Sequence, residues 1–317
     1  MLVQILILAA GLALIVLGAE FLVDGASSIA RKAGISEFVI GLTIIGMGTS
    51  APEFVVSLFA AVKGNADIAV GNVIGSNIFN ILLILGITAM ILPIEITESN
   101  RKRDIPINIG ATLLLVVLGM NGTIFGLGAN SLSRIDGIVF ILIFIWYMYT
   151  SFKRNESPIA DENEKIYSIG LSTVMVIGGL VSLVYGGNIF VDSATNIAKM
   201  AGVSDKFIAI TLLAGGTSLP ELATCIVAAV KNKGQLALGN ILGSNIFNIL
   251  LILGTSAIIR PLSMDSINFV DLSVLMLSVV MIWASIYTGK KNKLDKAEGL
   301  VFLLLEALYL VYLFKHA

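Results

Sequence analysis

The sequence predicts an all-α integral membrane protein with ten transmembrane helices, arranged as two inverted five-helix repeats with discontinuous helices at a midplane site. Three observations predict it: an apolar composition, a repeat that covers most of the chain, and an acidic motif that occurs twice inside apolar segments. Of the 317 residues, 57% are hydrophobic and 13% are charged, whereas soluble domains carry about 25% charged residues. Because so few polar side chains cannot cover a soluble fold of this length, a sizeable soluble domain is excluded.

The residue types that are rare in the chain exclude several kinds of site. Cys225 is the only cysteine and His316 is the only histidine. These two counts exclude an intramolecular disulfide, a thiolate metal cluster, haem binding and metalloprotease chemistry. The net charge of −1 argues against nucleic acid as a partner. The expected partner is the lipid bilayer, and no motif indicates a cofactor or a protein partner.

A constant offset of 168 residues relates two lengths of the chain. Residues 18–93 align with residues 186–261 without a gap, and the twelve residues from Gly75 are identical to the twelve from Gly243. A repeat of this length indicates duplication on the scale of a domain rather than a short solenoid period. The chain is therefore divided into a first half at 1–152, a linker at 153–166 and a second half at 167–317.

Hydropathy predicts five spans in each half. Because five is an odd number, the second half enters the membrane in the opposite orientation. With the N-terminus outside, fourteen of the twenty Lys and Arg residues fall in inside loops, as the positive-inside rule requires. We therefore expect a multi-pass protein of the cell (inner) membrane with both termini outside and a cytoplasmic linker. The predicted spans are 2–24, 38–62, 68–92, 105–121, 131–152, 167–191, 206–230, 236–259, 268–288 and 297–314.

Each half carries the motif Gly-Thr-Ser-x-Pro-Glu in the middle of an apolar segment, ending at Glu53 and at Glu221. A carboxylate in hydrocarbon costs at least about 2.5–3.5 kcal/mol, so each glutamate is a candidate functional residue. The preceding Pro52 and Pro220 remove a backbone N–H and clash with the carbonyl four residues earlier. Loose carbonyls survive in lipid only when they are buried in protein or face a water-filled cavity. The motifs therefore predict one site built from two halves.

The residue types in these motifs are those of a site for hard cations. Carboxylate, hydroxyl and carbonyl oxygens without imidazole or thiolate suit Ca²⁺ or Na⁺. The hydroxyls could instead bond only to backbone carbonyls, and the asparagines could be interhelical hydrogen bonds. Asp24 and Asp192 lie near predicted span ends, where solvation explains them. The candidates are the carboxylates of Glu53 and Glu221, the hydroxyls of Thr49, Ser50, Thr217 and Ser218, and the faces formed by Asn72, Ser76 and Asn80 and by Asn240, Ser244 and Asn248.

The paired Gly-Thr-Ser-x-Pro-Glu and Gly-Asn-x-x-Gly-Ser-Asn-Ile-Phe-Asn motifs resemble the two α-repeats of the calcium/cation antiporter superfamily, and most closely its prokaryotic sodium/calcium exchangers. The resemblance covers the whole chain in length and in its ten-span plan. It implies that three Na⁺ are exchanged for one Ca²⁺ and that the first and sixth spans slide across the site. It implies a Ca²⁺ site at Glu53, Glu221, Thr49 and Thr217, and Na⁺ sites drawing on both glutamates, Ser50, Ser218, Ser76, Ser244, Asn80, Asn248 and the carbonyls of Gly46 and Ala214.

The chain departs from the family pattern at one pair of positions. Some relatives carry an aspartate at the position of Asn80 or Asn248, and potassium-dependent members tend to have an acid there. This chain has asparagine at both positions. The difference argues against K⁺ co-transport and leaves two carboxylates at the centre.

The leading interpretation is a Na⁺/Ca²⁺ antiporter, which is not an enzyme. A Ca²⁺/H⁺ (or other divalent cation) antiporter on the same frame is the alternative, because two buried glutamates could carry protons instead of Na⁺. The repeated hydroxyls favour Na⁺, since they are useful to a small bare cation and not to a proton. An intramembrane hydrolase with a carboxylate dyad needs acids in different environments, whereas these glutamates lie in matched ones. A channel is disfavoured because a tight polar site favours occlusion.

Overall fold

The structure, a computed structural model, describes residues 1–126, 128–153, 165–201, 214–265, 267–289 and 292–316. Within these residues the chain forms helices, turns and four two-residue strands. The helices of residues 1–153 are α1 (Leu2–Ala33), α2 (Glu37–Thr49), α3 (Ala51–Lys63), α4 (Ala66–Ile91), α5 (Ile105–Gly119, preceded by a π-helical turn at Asn100–Asp104), α6 (Asn121–Phe125) and α7 (Arg134–Phe152). Those of residues 165–316 are α8 (Ile169–Met200), α9 (Ala214–Gly216), α10 (Leu219–Val230), α11 (Gly234–Ile259), α12 (Phe269–Ala284) and α13 (Lys296–His316).

Among the described residues, six helices are long and apolar enough to cross a membrane: α1, α4, α7, α8, α11 and α13. The helices α2 and α3 form a further candidate span that is bent by 49° at Ser50, and α10 and α12 are shorter apolar helices. Since a bilayer core needs about 20 apolar residues in a helix, the chain is a multi-pass membrane protein.

The helices α1 and α8 are longer than the spans predicted at 2–24 and 167–191, since they continue to Ala33 and Met200. The prediction ended the first span at Asp24, but this side chain is 31% exposed and pairs with Lys231 at 2.5 Å. Because the Asp24 carboxylate forms an ion pair, it does not mark the end of the helix, and solvation alone does not explain its position. The helix ends at Gly34, where φ is 67°. Residues 206–213 of the seventh predicted span and residues 154–164 of the linker lie outside the described part.

The two 32-residue helices α1 and α8 pack against each other in antiparallel orientation. A Cβ atom on Gly18 would lie 2.9 Å from the carbonyl oxygen of Gly179, and one on Gly179 would lie 2.7 Å from that of Gly18. Only glycine permits this approach of the two backbones, as is common between membrane helices. The opposite surfaces expose apolar side chains such as Leu12 and Val181, which suit contact with lipid.

The helices α4 and α11 form the centre of the molecule, and α11 is almost entirely buried. The helix α2 packs so closely on α11 that a Cβ atom on Gly239 would lie 2.2 Å from the carbonyl oxygen of Phe38. On another side, α7 covers α11 where Gly137 approaches Gly254, and α13 covers α4 in the same manner. The core therefore depends on backbone-to-backbone packing at glycines.

Turns of π-helix interrupt three of these central helices. They lie at Gly41–Ile45 in α2, at Asn80–Leu85 in α4 and at Phe247–Leu253 in α11. A π-helical turn inserts an extra residue and changes the direction of the side chains, and such turns are frequent at functional sites. The turn in α4 begins at the predicted ligand Asn80, and the turn in α11 contains Asn248. Both asparagines therefore lie where the π-helical turn changes the direction of the side chains.

Two short antiparallel ribbons connect the part of the chain before residue 153 with the part after residue 165. Strand β1 (Ile94–Glu95) pairs with β4 (Lys293–Leu294), and β2 (Ser131–Leu132) pairs with β3 (Leu262–Ser263). The apolar partners in each ribbon are buried. The described chain is otherwise helical, in agreement with the predicted all-α class.

The glycine contact between α1 and α8 predicts a position-specific loss of stability. We expect Gly179→Ala to destabilise the protein by about 1–3 kcal/mol, because the added methyl group overlaps the backbone of α1. The neighbouring Gly178→Ala is the matched control, since a Cβ atom there meets no described atom within 4 Å. The measurement is thermal unfolding in detergent, and equal effects of the two substitutions would contradict this account of the contact.

Candidate functional site

The two motif glutamates lie in the first turns of α3 and α10, deep inside the molecule. Glu53 is 1% exposed and Glu221 is fully buried. In each case the proline stands within the first two residues of the helix, where its missing N–H costs nothing. Pro52 therefore begins a new helix after a break, and does not kink a continuous one. This places each carboxylate near the positive end of a helix dipole, which stabilises negative charge.

The two motifs meet through reciprocal hydrogen bonds. The hydroxyl of Ser50 donates to Glu221 Oε1 at 2.8 Å, and the hydroxyl of Ser218 donates to Glu53 Oε1 at 3.0 Å. Ser76 on α4 also lies 3.4 Å from Glu53 Oε1. Each carboxylate is thus held by the serine of the other motif, so the site exists only where both motifs come together.

Four buried asparagines form a second reciprocal network where α4 and α11 cross. Asn77 and Asn245 each donate to the backbone carbonyl of the other, at 3.2 and 3.3 Å. Asn80 donates to Asn245 Oδ1, and Asn248 donates to Asn77 Oδ1, both at 3.0 Å. Because these bonds engage the amide nitrogens, the side-chain oxygens of Asn80 and Asn248 are left free to accept.

Five of the buried oxygens in this region have no hydrogen-bond partner among the described residues: Glu53 Oε2, Glu221 Oε2, Asn80 Oδ1, Asn248 Oδ1 and Thr217 Oγ1. An unsatisfied buried acceptor costs about 1–3 kcal/mol, and more when it is charged. The described residues contain no group of three or more His, Cys, Asp or Glu side chains placed to hold a metal. Two carboxylates with amide and hydroxyl oxygens are therefore the available donors, and they suit a hard cation.

The threonines of the two motifs are placed differently. Thr49 is fully buried, and its hydroxyl lies within hydrogen-bond distance of two acceptors, the carbonyl of Ile45 at 3.0 Å and Asn240 Oδ1 at 3.2 Å. Thr217 is half-buried as a residue and lines a cleft, although its hydroxyl oxygen is itself buried. The equivalent positions in the sequence therefore have different solvent access in the structure.

The remaining candidate ligands lie beside the site, at the edge of the described residues, or in contacts between neighbouring helices. The Ser244 hydroxyl donates to the carbonyl of Gly46 at 3.2 Å, so this carbonyl lies beside the site. Ala214 begins the short helix α9, directly after residues outside the described part. The amide nitrogen of Asn72 donates to Ser57 at 2.9 Å, and that of Asn240 donates to Cys225 Sγ at 3.3 Å. These two asparagines therefore connect α4 to α3 and α11 to α10.

One candidate was missed by the sequence analysis. Glu306, in the middle of α13, is 2% exposed, and its Oε2 accepts no hydrogen bond from the described residues. A carboxylate buried in a spanning helix is a functional candidate in its own right. The signal was present, because Glu306 is an acid in the middle of the last predicted span.

Comparison with known proteins covers almost the whole chain. A family model described as "Sodium/calcium exchanger protein" matches residues 3–153 and 171–315. The putative antiporter CaxA of Alkalimonas amylolytica is 39% identical over 96% of each chain. The sodium/calcium exchanger MaX1 of Methanosarcina acetivorans is 32% identical over 98% of this chain and 99% of its own.

A solved structure agrees with these matches. The sodium–calcium exchanger NCX_Mj soaked with Na⁺ and Sr²⁺ aligns with a TM-score of 0.84 and 33% identity, covering 98% of both chains. The residues matched by the family model include both copies of the acidic motif. On this evidence the chain belongs to the sodium/calcium exchanger family, a family of membrane antiporters rather than of enzymes.

Proposed function

We propose that the protein is a secondary active antiporter that exchanges Na⁺ for Ca²⁺ by alternating access at a site shared by Glu53 and Glu221. The observation that carries the proposal is the set of five buried oxygens without hydrogen-bond partners, two from these glutamates, two from Asn80 and Asn248, and one from Thr217. Cations bound at these oxygens would satisfy them. Relatives named as sodium/calcium exchangers support the choice of ions.

The proposed ligand roles are those that the family resemblance implies. It assigns Ca²⁺, which takes about six to eight oxygen ligands, to both glutamates with Thr49 and Thr217. A serine hydroxyl that donates to a carboxylate keeps two lone pairs, so the same serines can also face Na⁺. We assign the Na⁺ sites to the glutamates together with Ser50, Ser218, Ser76, Ser244, Asn80, Asn248 and the carbonyls of Gly46 and Ala214.

The proposed architecture is the ten-span inverted repeat, with halves at 1–152 and 167–317 and a cytoplasmic linker at 153–166. Two features support it. Each ribbon pairs one strand from either side of residue 153, and the asparagine network is reciprocal between positions that the 168-residue offset relates. We further propose a location in the cell (inner) membrane.

A Ca²⁺/H⁺ antiporter on the same frame is the competing proposal, because both glutamates could bind protons. The serine hydroxyls beside each carboxylate favour Na⁺, since a proton needs no further oxygen ligands. The carboxylate-dyad hydrolase is disfavoured, because the two acids have matching partners: a serine from the opposite motif in each case. Uptake of ⁴⁵Ca into proteoliposomes, with Na⁺ and pH gradients imposed separately, distinguishes the three.

The first functional prediction concerns the carboxylates. We expect Glu53→Gln and Glu221→Gln each to abolish Ca²⁺ transport and to weaken Ca²⁺ binding at least about 30-fold, because leaving a buried charge without its partner costs about 2–5 kcal/mol. The matched control is Glu98→Gln, since Glu98 is 69% exposed and pairs with Lys102. The readout is ⁴⁵Ca uptake by protein with unchanged unfolding temperature. Near-normal transport in either glutamine variant would exclude the shared site.

The second functional prediction follows from charge. Two ionised glutamates give the empty site a charge of −2, one Ca²⁺ brings it to zero, and the three Na⁺ that the family resemblance implies bring it to +1. Exchange should therefore move charge, and a potential should bias it by about 2.3 kcal/mol per charge per 100 mV. We expect Na⁺-driven Ca²⁺ flux to respond to potential, to ignore K⁺ and to fall at acid pH as protons compete for the glutamates.

The measurement is Ca²⁺ flux in vesicles clamped to different potentials by valinomycin, with and without Na⁺. Vesicles that carry Glu53→Gln serve as the background. Flux that follows the pH gradient and ignores Na⁺ would establish the Ca²⁺/H⁺ alternative.

The third functional prediction concerns orientation. A reporter inserted in the linker at 153–166 should read cytoplasmic, and one at the C-terminus should read external, because fourteen of the twenty basic residues then lie inside. Paired reporters active in opposite compartments, such as alkaline phosphatase and green fluorescent protein, provide the measurement and its control. The reverse result at both positions would invert the proposed orientation.

A further inference from the structure

Two pairs of oppositely charged residues are equivalent in the repeat but differ in the structure. The 168-residue offset relates Asp24 to Asp192 and Lys231 to Lys63. The Lys231 ammonium lies 2.5 Å from Asp24 Oδ1, and both side chains are 31% exposed. Asp192 and Lys63 are both exposed, and neither forms an ion pair with another described residue. One of the two possible equivalent pairs is therefore formed.

The two pairs belong to opposite ends of the molecule. Asp24 and Asp192 lie towards the C-terminal ends of α1 and α8, which are antiparallel. Lys231 and Lys63 lie at the C-terminal ends of α10 and α3, and each of these helices begins beside the cation site. We name the two ends the Asp24 face and the Asp192 face.

The site is approached by a cleft from the Asp192 face. The cleft has a volume of about 230 Å³ and lies between α8 and the starts of α3 and α10. Thr217 is half-buried in its wall, next to the Ser218 that bonds to Glu53. Its lining includes Gly187, Val191, Asp192 and Thr217.

The equivalent region on the Asp24 face is closed. Ala19, Val23 and Thr49, which correspond to Gly187, Val191 and Thr217 of the cleft, are all fully buried. Here α1 packs along α10, whereas α8 makes only marginal contact with α3. The formed ion pair therefore lies on the closed face, and the unformed one lies on the open face.

We infer that Asp24–Lys231 and Asp192–Lys63 are equivalent latches that form alternately and set the face to which the cation site opens. Because α1 and α8 interlock at glycines, they shift as a unit relative to α3 and α10. A shift that brings Asp192 to Lys63 removes Asp24 from Lys231. The inference rests on the alternating access of the proposed exchange, and it assigns these four as positioning residues rather than ion ligands.

The strength of the formed pair suits this role. Partly exposed ion pairs contribute little to stability, so a single latch biases two arrangements without fixing either. An exchanger needs both arrangements to be populated during its cycle. A strong buried pair at this place would instead hold one face closed permanently.

A second ion pair on the same face lacks this property. Lys233 lies 2.9 Å from Glu37, and the side chains are 6% and 14% exposed. Its equivalents in the repeat are Asn65 and Asp205, which cannot form an ion pair with each other. This pair connects α2 to the turn before α11, so it does not join the α1–α8 unit to the rest.

The experiment compares two matched cysteine probes in a Cys225→Ser background. Serine is suitable there because Ser57, its equivalent in the repeat, accepts the same kind of hydrogen bond from Asn72. The probes are Val191→Cys in the cleft and Val23→Cys at the equivalent closed position. An impermeant maleimide is applied from each side of the membrane, in the absence of an ion gradient, and labelling rates are measured.

We expect Lys231→Gln to accelerate labelling of Val23→Cys and to slow labelling of Val191→Cys, each by about 1.5- to 5-fold, which is the range that a partly exposed pair supports. Lys63→Gln should change both rates in the opposite directions. Lys102→Gln removes a basic residue from an exposed pair and should change neither. The exchanged pair Asp24→Lys with Lys231→Asp should restore the parent rates.

The latch proposal would be overturned if Lys231→Gln changed the labelling rate of neither probe. It would also be overturned if the substitution accelerated labelling of both probes, because a general loosening of the protein would expose both faces alike. Failure of the exchanged pair to restore the rates would also overturn the proposal. The proposed exchange fails separately: the parent protein would then show no Na⁺-dependent ⁴⁵Ca uptake while the probes still responded in opposite directions.

Discussion

The burial of two carboxylates at the starts of two helices is the constraint on which the rest of the structure depends. A glutamate in an apolar interior is tolerated only when helix dipoles, hydrogen bonds or a bound cation offset its charge. Pro52 and Pro220 start the helices that supply the dipoles, and the opposite serine supplies a hydrogen bond to one oxygen of each carboxylate. Neither motif is satisfied alone, so both must be present for the centre to assemble.

The close packing around this centre follows from the same constraint. A site of short polar side chains needs its helices close together, and glycine is the residue that permits this. At Gly239 the α2 and α11 backbones approach until no Cβ atom fits. The π-helical turns at Asn80 and in the helix of Asn248 then re-aim the amides without breaking either helix. Three of the π-helical turns in the described residues are thus placed in the helices that surround the site.

The parts that were predictable from sequence are those that a local rule determines. An acid behind a proline in an apolar segment has few explanations, so the burial of Glu53 and Glu221 was predictable from the sequence. The length of α1 was not, because Asp24 is stabilised by Lys231, a residue 207 positions away. Which hydrogen bonds each asparagine makes depends on how α4 crosses α11. Asn77 and Asn245 engage the amide groups, while Asn80 and Asn248 keep their oxygens free, and no spacing rule distinguishes these pairs.

The two halves of the chain are equivalent in sequence but have different environments in the structure. Thr49 and Thr217 have the same neighbours in sequence, yet one is sealed and the other lines a cleft. If the two halves supply equivalent contacts, a second arrangement can form in which the first half takes the environment of the second and the second takes that of the first. This second arrangement is built from the same kinds of contact. Its free energy would then lie close to that of the first, so small differential contributions from a bound ion or a surface ion pair suffice to shift the balance. The repeat therefore provides two nearly equivalent ways of closing the same site, one on each face.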